Sequence, residues 1–143
     1  MKLTRYSDYS LRALIYLGTH PNRPVPVSEI CRSFAISQNH LAKVANKLQH
    51  LNFVETRRGK MGGYLLAKEA SEIGIGEVIR QTEPDLDLLE CFNSQSNTCK
   101  LIDSCHLKQI LAEAQLAFLE VLDKYTLADL LSNSDELREI LAV

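Results

Sequence analysis

Three of the four cysteines fall within 15 residues, Cys91, Cys99 and Cys105, in the spacing C-x7-C-x5-C, while Cys31 stands far upstream. Thiolates are ligands for soft metals and nucleophiles in redox chemistry, so the group points to a metal centre or to reactive thiols. Structural zinc prefers close pairs such as C-x2-C and four Cys or His ligands, and neither feature is present. Widely spaced thiolates suit an iron-sulfur cluster, whose larger frame separates the irons. On spacing alone, zinc and redox thiols stay open beside it. Cys31 sits among apolar residues at helical spacing and reads as a small core hydrophobe. His40 and His50 read as solvated polar positions, since no second ligand flanks either at coordinating spacing.

A second chemistry is electrostatic. The 143 residues carry 16 Lys+Arg and 18 Asp+Glu, for a net charge of -2, and 45% are hydrophobic. Residues 1–68 hold 11 basic and 3 acidic residues, a balance of +8, whereas residues 69–143 hold 5 basic and 15 acidic, a balance of -10. Such segregation fits one module facing a polyanion and another devoted to sensing or assembly, with double-stranded DNA as the partner. No nucleophile–base pair or phosphate-binding loop is visible, which argues against an enzyme. Apolar runs are too short to cross a membrane. The opening MKLTRYSDYS lacks the apolar stretch of a secretory signal, so a cytoplasmic location with reduced thiols is expected.

These side chains need elements to position them. Leu11, Leu14 and Ile15 recur at helical spacing and predict a first helix over 5–20, stopped at His20-Pro21. A second helix is expected over 27–34, capped by Ser28, with Ile30, Cys31 and Phe34 inward. Ser37 caps a third, whose Leu41, Val44, Leu48 and Leu51 are spaced 3, 4 and 3. Two helices joined by a three-residue turn make a helix-turn-helix pattern. Its exposed positions are Ser37, Gln38, Asn39, His40, Lys43 and Lys47; Gln and Asn can pair with adenine in a major groove, and Lys43 can reach guanine or phosphate. Strands over 53–56 and 64–67 flank RRGKMGG, a basic hairpin that reads as a wing. Arg57, Arg58 and Lys60 on it suit a minor groove or its phosphates.

Further along, a short helix over 76–83 ends at Pro84, and a loop over 85–105 holds the cysteines. Leu107, Leu111, Ala114, Phe118, Val121 and Tyr125 then follow at steps of 4, 3, 4, 3 and 4, a heptad seam suited to a homodimer. Thr126 caps a short helix through Leu131, and residues 136–141 read as a frayed tail. The expected fold is mainly α with a small β-hairpin: a winged helix-turn-helix DNA-binding domain over 1–83 (wing 53–67), a cluster-binding loop over 84–105, and a dimerisation helix with C-terminal tail over 106–143.

The segments LTRYSDYSLRALIYL, RRGKMGGYLL and LDKYTLADLL (122–131), with the three-cysteine loop, resemble a family of winged-helix iron-sulfur transcription regulators over nearly the whole chain. YTLADLL is most similar to the branch that senses nitric oxide. The resemblance implies a homodimeric repressor of a palindromic operator that lets go when nitric oxide nitrosylates its cluster. It also implies one cluster per subunit, held by Cys91, Cys99, Cys105 and Asp8 of the partner subunit. In another branch a His lies three residues after the last Cys; here that position is Lys108, and His106 directly follows Cys105. A 4Fe-4S cluster is expected, with 2Fe-2S the alternative, because seven residues rather than four or five separate the first two cysteines. An oxygen ligand is harder than thiolate and more easily displaced, and Asp8 lies i,i+4 from Arg12, so these two residues form the expected switch. Two alternatives differ in kind: an iron-sulfur regulator answering to iron, cluster supply or redox state, and a metal-dependent interaction or thiol-redox protein without specific DNA binding.

Overall fold

Thr4 starts the first helix, its hydroxyl accepting from the Ser7 N–H at 3.3 Å. The computed structural model describes residues 2–142. Helix α1 (Arg5–Gly18) buries Ser7, Ser10, Ala13, Leu14, Tyr16 and Leu17. Helix α2 (Val27–Phe34) starts after Pro26 rather than at Ser28, which is exposed inside the helix. Pro26 takes the extended backbone of an N-cap, and its carbonyl accepts from the Glu29 N–H at 3.0 Å, so the helix starts without a side-chain cap. Ala35 turns the chain at φ 52, and helix α3 (Gln38–His50) begins at Ser37, whose side chain accepts from the His40 N–H at 3.4 Å. The helix-turn-helix thus forms as expected.

Strand β1 (Val54–Arg57) pairs antiparallel with β2 (Gly63–Leu66), from Val54↔Leu66 to Arg57↔Gly63. Each strand is displaced by one residue from the sequence expectation. Val25, just before α2, makes reciprocal 2.8 Å backbone bonds with Tyr64 and so ties the hairpin to the helix-turn-helix. Helix α4 (Ile75–Thr82) follows, then the cysteine loop, α5 (His106–Leu122), α6 (Leu127–Leu130) and α7 (Ser134–Leu141). Thr126 caps α6 through a reciprocal box with Asp129, as expected. Leu14, Ile30, Leu41, Leu48, Phe53, Ile73, Val78 and Leu127 form one core, each 1% exposed or less.

Two expectations are corrected. The segment 136–141 is not frayed: it lies in α7, where Leu141 is buried, Arg138 Nε donates to the Thr19 carbonyl at 2.7 Å, and Ser33 Oγ donates to the Leu141 carbonyl at 3.0 Å. One buried leucine with two bonds to α1 and α2 suffices to hold a short amphipathic helix whose isolated form is marginal. The heptad seam is also displaced. Leu111 and Phe118 are half-buried against their own chain, and Tyr125 lies beyond the end of α5. The apolar face left open is Leu107, Ile110, Ala114, Ala117 and Val121, at steps of 3, 4, 3 and 4. No residue of α5 is buried.

Candidate nucleic-acid interface and cysteine loop

The first turn of α3 leaves Ser37, Gln38, Asn39 and His40 exposed, with Lys43 and Lys47 on succeeding turns. Arg57, Arg58 and Lys60 are exposed on the wing. None of these cations has a carboxylate partner among the described residues, so their charge is free to face an outside anion. Tyr6 Oη donates to the Lys43 carbonyl at 3.4 Å, fastening α1 to α3. His50 Nδ1 lies 2.7 Å from the Asn46 carbonyl, in keeping with a solvated helix position rather than a ligand.

The wing needs its glycines for two different reasons. A Cβ on Gly63 would lie 2.5 to 2.8 Å from the Val25 backbone, and Gly59 takes φ 115, so neither site accommodates an ordinary side chain. The Gly62 N–H donates to the Gly59 carbonyl at 2.9 Å, closing a four-residue turn at the tip.

Cys91, Cys99 and Cys105 are all free thiols. Cys91 is buried, and the other two are half-buried. Thr98 Oγ1 donates to the Glu90 carboxylate at 3.1 Å, which draws together the chain beside Cys99 and the chain beside Cys91. The insert between them folds on itself, with the Asn97 N–H donating to the Asn93 carbonyl at 3.1 Å, and residues 93–96 are exposed. Cys105 occupies the N-cap of α5, so the last of the three thiols stands where the loop enters that helix. Among the described residues, no group of three His, Cys, Asp or Glu side chains converges at metal-binding spacing. The donor set nevertheless fits an iron-sulfur group in chemistry, with three free thiols on one loop, one ligand short of the four that such a group takes. Cys31 is half-buried against the core, and burial raises its thiol pKa, consistent with a packing role.

Asp8 and Arg12 meet as the i,i+4 spacing predicts, Nε to Oδ1 at 2.8 Å, both a little over two-fifths exposed. The Arg12 guanidinium also lies 5.7 Å from the Phe34 ring centroid, over the end of α2. Arg12 therefore touches both the candidate fourth ligand and the helix-turn-helix.

The family model of Rrf2, described as an iron-dependent transcriptional regulator, matches residues 3–133. The chain belongs to the Rrf2 family. It is 50% identical over 143 residues to the HTH-type transcriptional regulator NsrR of Bacillus licheniformis, covering 99% of this chain and 100% of that one. NsrR of Bacillus subtilis is 46% identical over 142 residues, covering 99% and 97%. The fold superposes on T. potens IscR with a TM-score of 0.78 at 27% identity, over 96% of this chain and 91% of that one. CymR (YrzC), the global cysteine regulator of B. subtilis, superposes with a TM-score of 0.73 at 26% identity, over 93% and 98%. This Rrf2 chain is thus a winged-helix transcriptional regulator and not an enzyme. Among its described residues, no helix is long and apolar enough to cross a membrane.

Sequence spacing gives no sign of the links that join the start of α1 to the cysteine loop of this Rrf2 chain. Ser7 Oγ accepts from Thr82 Oγ1 at 2.9 Å in the core, and Thr4 donates through its N–H and its hydroxyl to Glu83 Oε1 at 2.9 and 3.1 Å. These fix the start of α1 to the end of α4, where the cysteine loop departs. Polar residues more than 70 positions apart leave no periodic signal by which to pair them.

Proposed function

We propose that this regulator is a nitric-oxide-sensing repressor that binds palindromic operator DNA as a homodimer. The Asp8–Arg12–Phe34 contact carries the reading, because it gives a candidate ligand a mechanical route to the DNA-binding elements. Cys91, Cys99 and Cys105, with Asp8 of the partner subunit, would hold an iron-sulfur cluster, 4Fe-4S in this reading. When bound, the cluster supplies irons that react with nitric oxide, most readily where a hard oxygen ligand is weakly held.

The chain's own residues do the rest. While Asp8 is engaged across the interface, Arg12 is left to Phe34. Once Asp8 is released, Arg12 recaptures it at the 2.8 Å pairing seen here, and α1 adjusts against Phe34 and, through Tyr6, against Lys43. A shift there re-aims Ser37, Gln38, Asn39 and His40, and the operator is released. The open apolar face of α5 is the surface on which two copies meet.

Anaerobic titration of the reconstituted dimer with nitric oxide, followed together by absorbance and mobility shift, tests this. Loss of operator binding at a few molecules of nitric oxide per cluster is expected. Insensitivity to nitric oxide with response to iron withdrawal or oxidation would refute it in favour of the other iron-sulfur reading, and a colourless zinc protein would refute both.

A further inference from the structure

Met61 is the most exposed large apolar side chain among the described residues, at 87%, and the next are Leu101 and Ile140 at 69%. It stands at the tip of the wing, not on the dimer face. The bond from the Gly62 N–H to the Gly59 carbonyl makes Lys60 and Met61 the two central residues of the tip turn, so both side chains project from it. Behind them the wing is braced by Gly63 against Val25 and by Val25 against Tyr64. A lone, almost fully exposed apolar side chain at the tip of a hairpin that also carries three cations is poorly explained by solvation, since water alone would favour a polar residue at a turn.

We infer that Met61 is an apolar wedge which enters the operator's minor groove while Arg57, Arg58 and Lys60 hold the flanking phosphates. The inference rests on the DNA-binding reading above. Apolar side chains, methionine among them, kink duplexes by partial insertion at a base step. An unbranched thioether suits a narrow groove, and its flexibility lets it follow the step it opens. Insertion favours steps that unstack easily, so Met61 imposes a preference for TA or CA/TG at the wing position, where no side chain reads a base edge.

The test starts with duplexes selected from a random pool by the reconstituted dimer, which should carry such a step at the position reached by each wing. Met61→Ala and Met61→Gln should weaken binding about tenfold, reduce the bend measured by circular permutation and relax the step preference, with the salt slope unchanged because no phosphate contact is lost. Met61→Leu should stay within about twofold of the unmodified protein. Met61 makes no contact that folding needs, so all three variants should melt as the parent does. A Met61→Ala protein with parental affinity, bend and step preference overturns the inference, as does a loss of affinity accompanied by a shallower salt slope. Failure of the unmodified protein to enrich any duplex is seen before any variant is made; it overturns the DNA-binding reading and this inference together.

Discussion

Ile110 offers the most direct probe of assembly. It lies mid-way along the open face of α5 and is 61% exposed. Full burial of an isoleucine contributes about 1.5–3 kcal/mol, so the share still open to a partner is worth about 1–2 kcal/mol. A two-fold interface uses the position once from each subunit, giving about 2–4 kcal/mol per dimer. Ile110→Asp should therefore raise the dimer dissociation constant roughly 30- to 700-fold, before any repulsion between the two carboxylates is counted. Sedimentation equilibrium over a dilution series measures this directly, and Gln109→Asp, on the polar side of the same turn, is the control. Parental dimerisation of Ile110→Asp, or equal weakening by Gln109→Asp, would refute the assignment of this face.

Other expected outcomes follow from the site. Arg58→Ala should weaken operator binding and reduce the slope of log K against log salt by about 1 per subunit, as measured by anisotropy titrations at several salt concentrations. Asp8→Ala should blunt the nitric-oxide response of DNA binding in mobility-shift assays; an unchanged response would remove Asp8 and Arg12 from the switch. The Arg23 guanidinium, 2.5 Å from Glu29 Oε1, holds the Glu29 carboxyl below the usual carboxylate range. A lowered pKa contributes stability above the ordinary glutamate value and loses it as pH falls through the lowered one. Melting curves of the parent and Glu29→Gln should accordingly differ near neutral pH and converge in acid.

Much of the fold could be read from local periodicity and turn chemistry. Ser37 and Thr126 are caps because each precedes a helical apolar pattern with a free N–H to satisfy, and the wing follows from glycines at the positions that need them. Asp8 and Arg12 were legible because i,i+4 neighbours meet on any helix. The seam of α5 was misplaced for a definite reason. Leu111 and Phe118 lie one step around from Ile110 and Ala117, and sequence spacing does not tell which apolar flank faces the chain's own body. Helix α7 was missed since its stability comes from Thr19 and Ser33, more than 100 residues away. The grouping of Cys91, Cys99 and Cys105 was plain, whereas the pinch between Glu90 and Thr98 depends on a loop conformation that no repeat encodes.

The bridge between Val25 and Tyr64 has a bearing on operator architecture. With the hairpin bonded to the residue that leads into α2, the wing and the helix-turn-helix share one frame. In the proposed complex, the distance between the base pairs met by α3 and the groove met by the wing is then a constant of the protomer. Variation among target sites should collect in the spacer between half-sites, the one dimension this brace does not set, and insertions inside a half-site should be tolerated far less than insertions at the dyad.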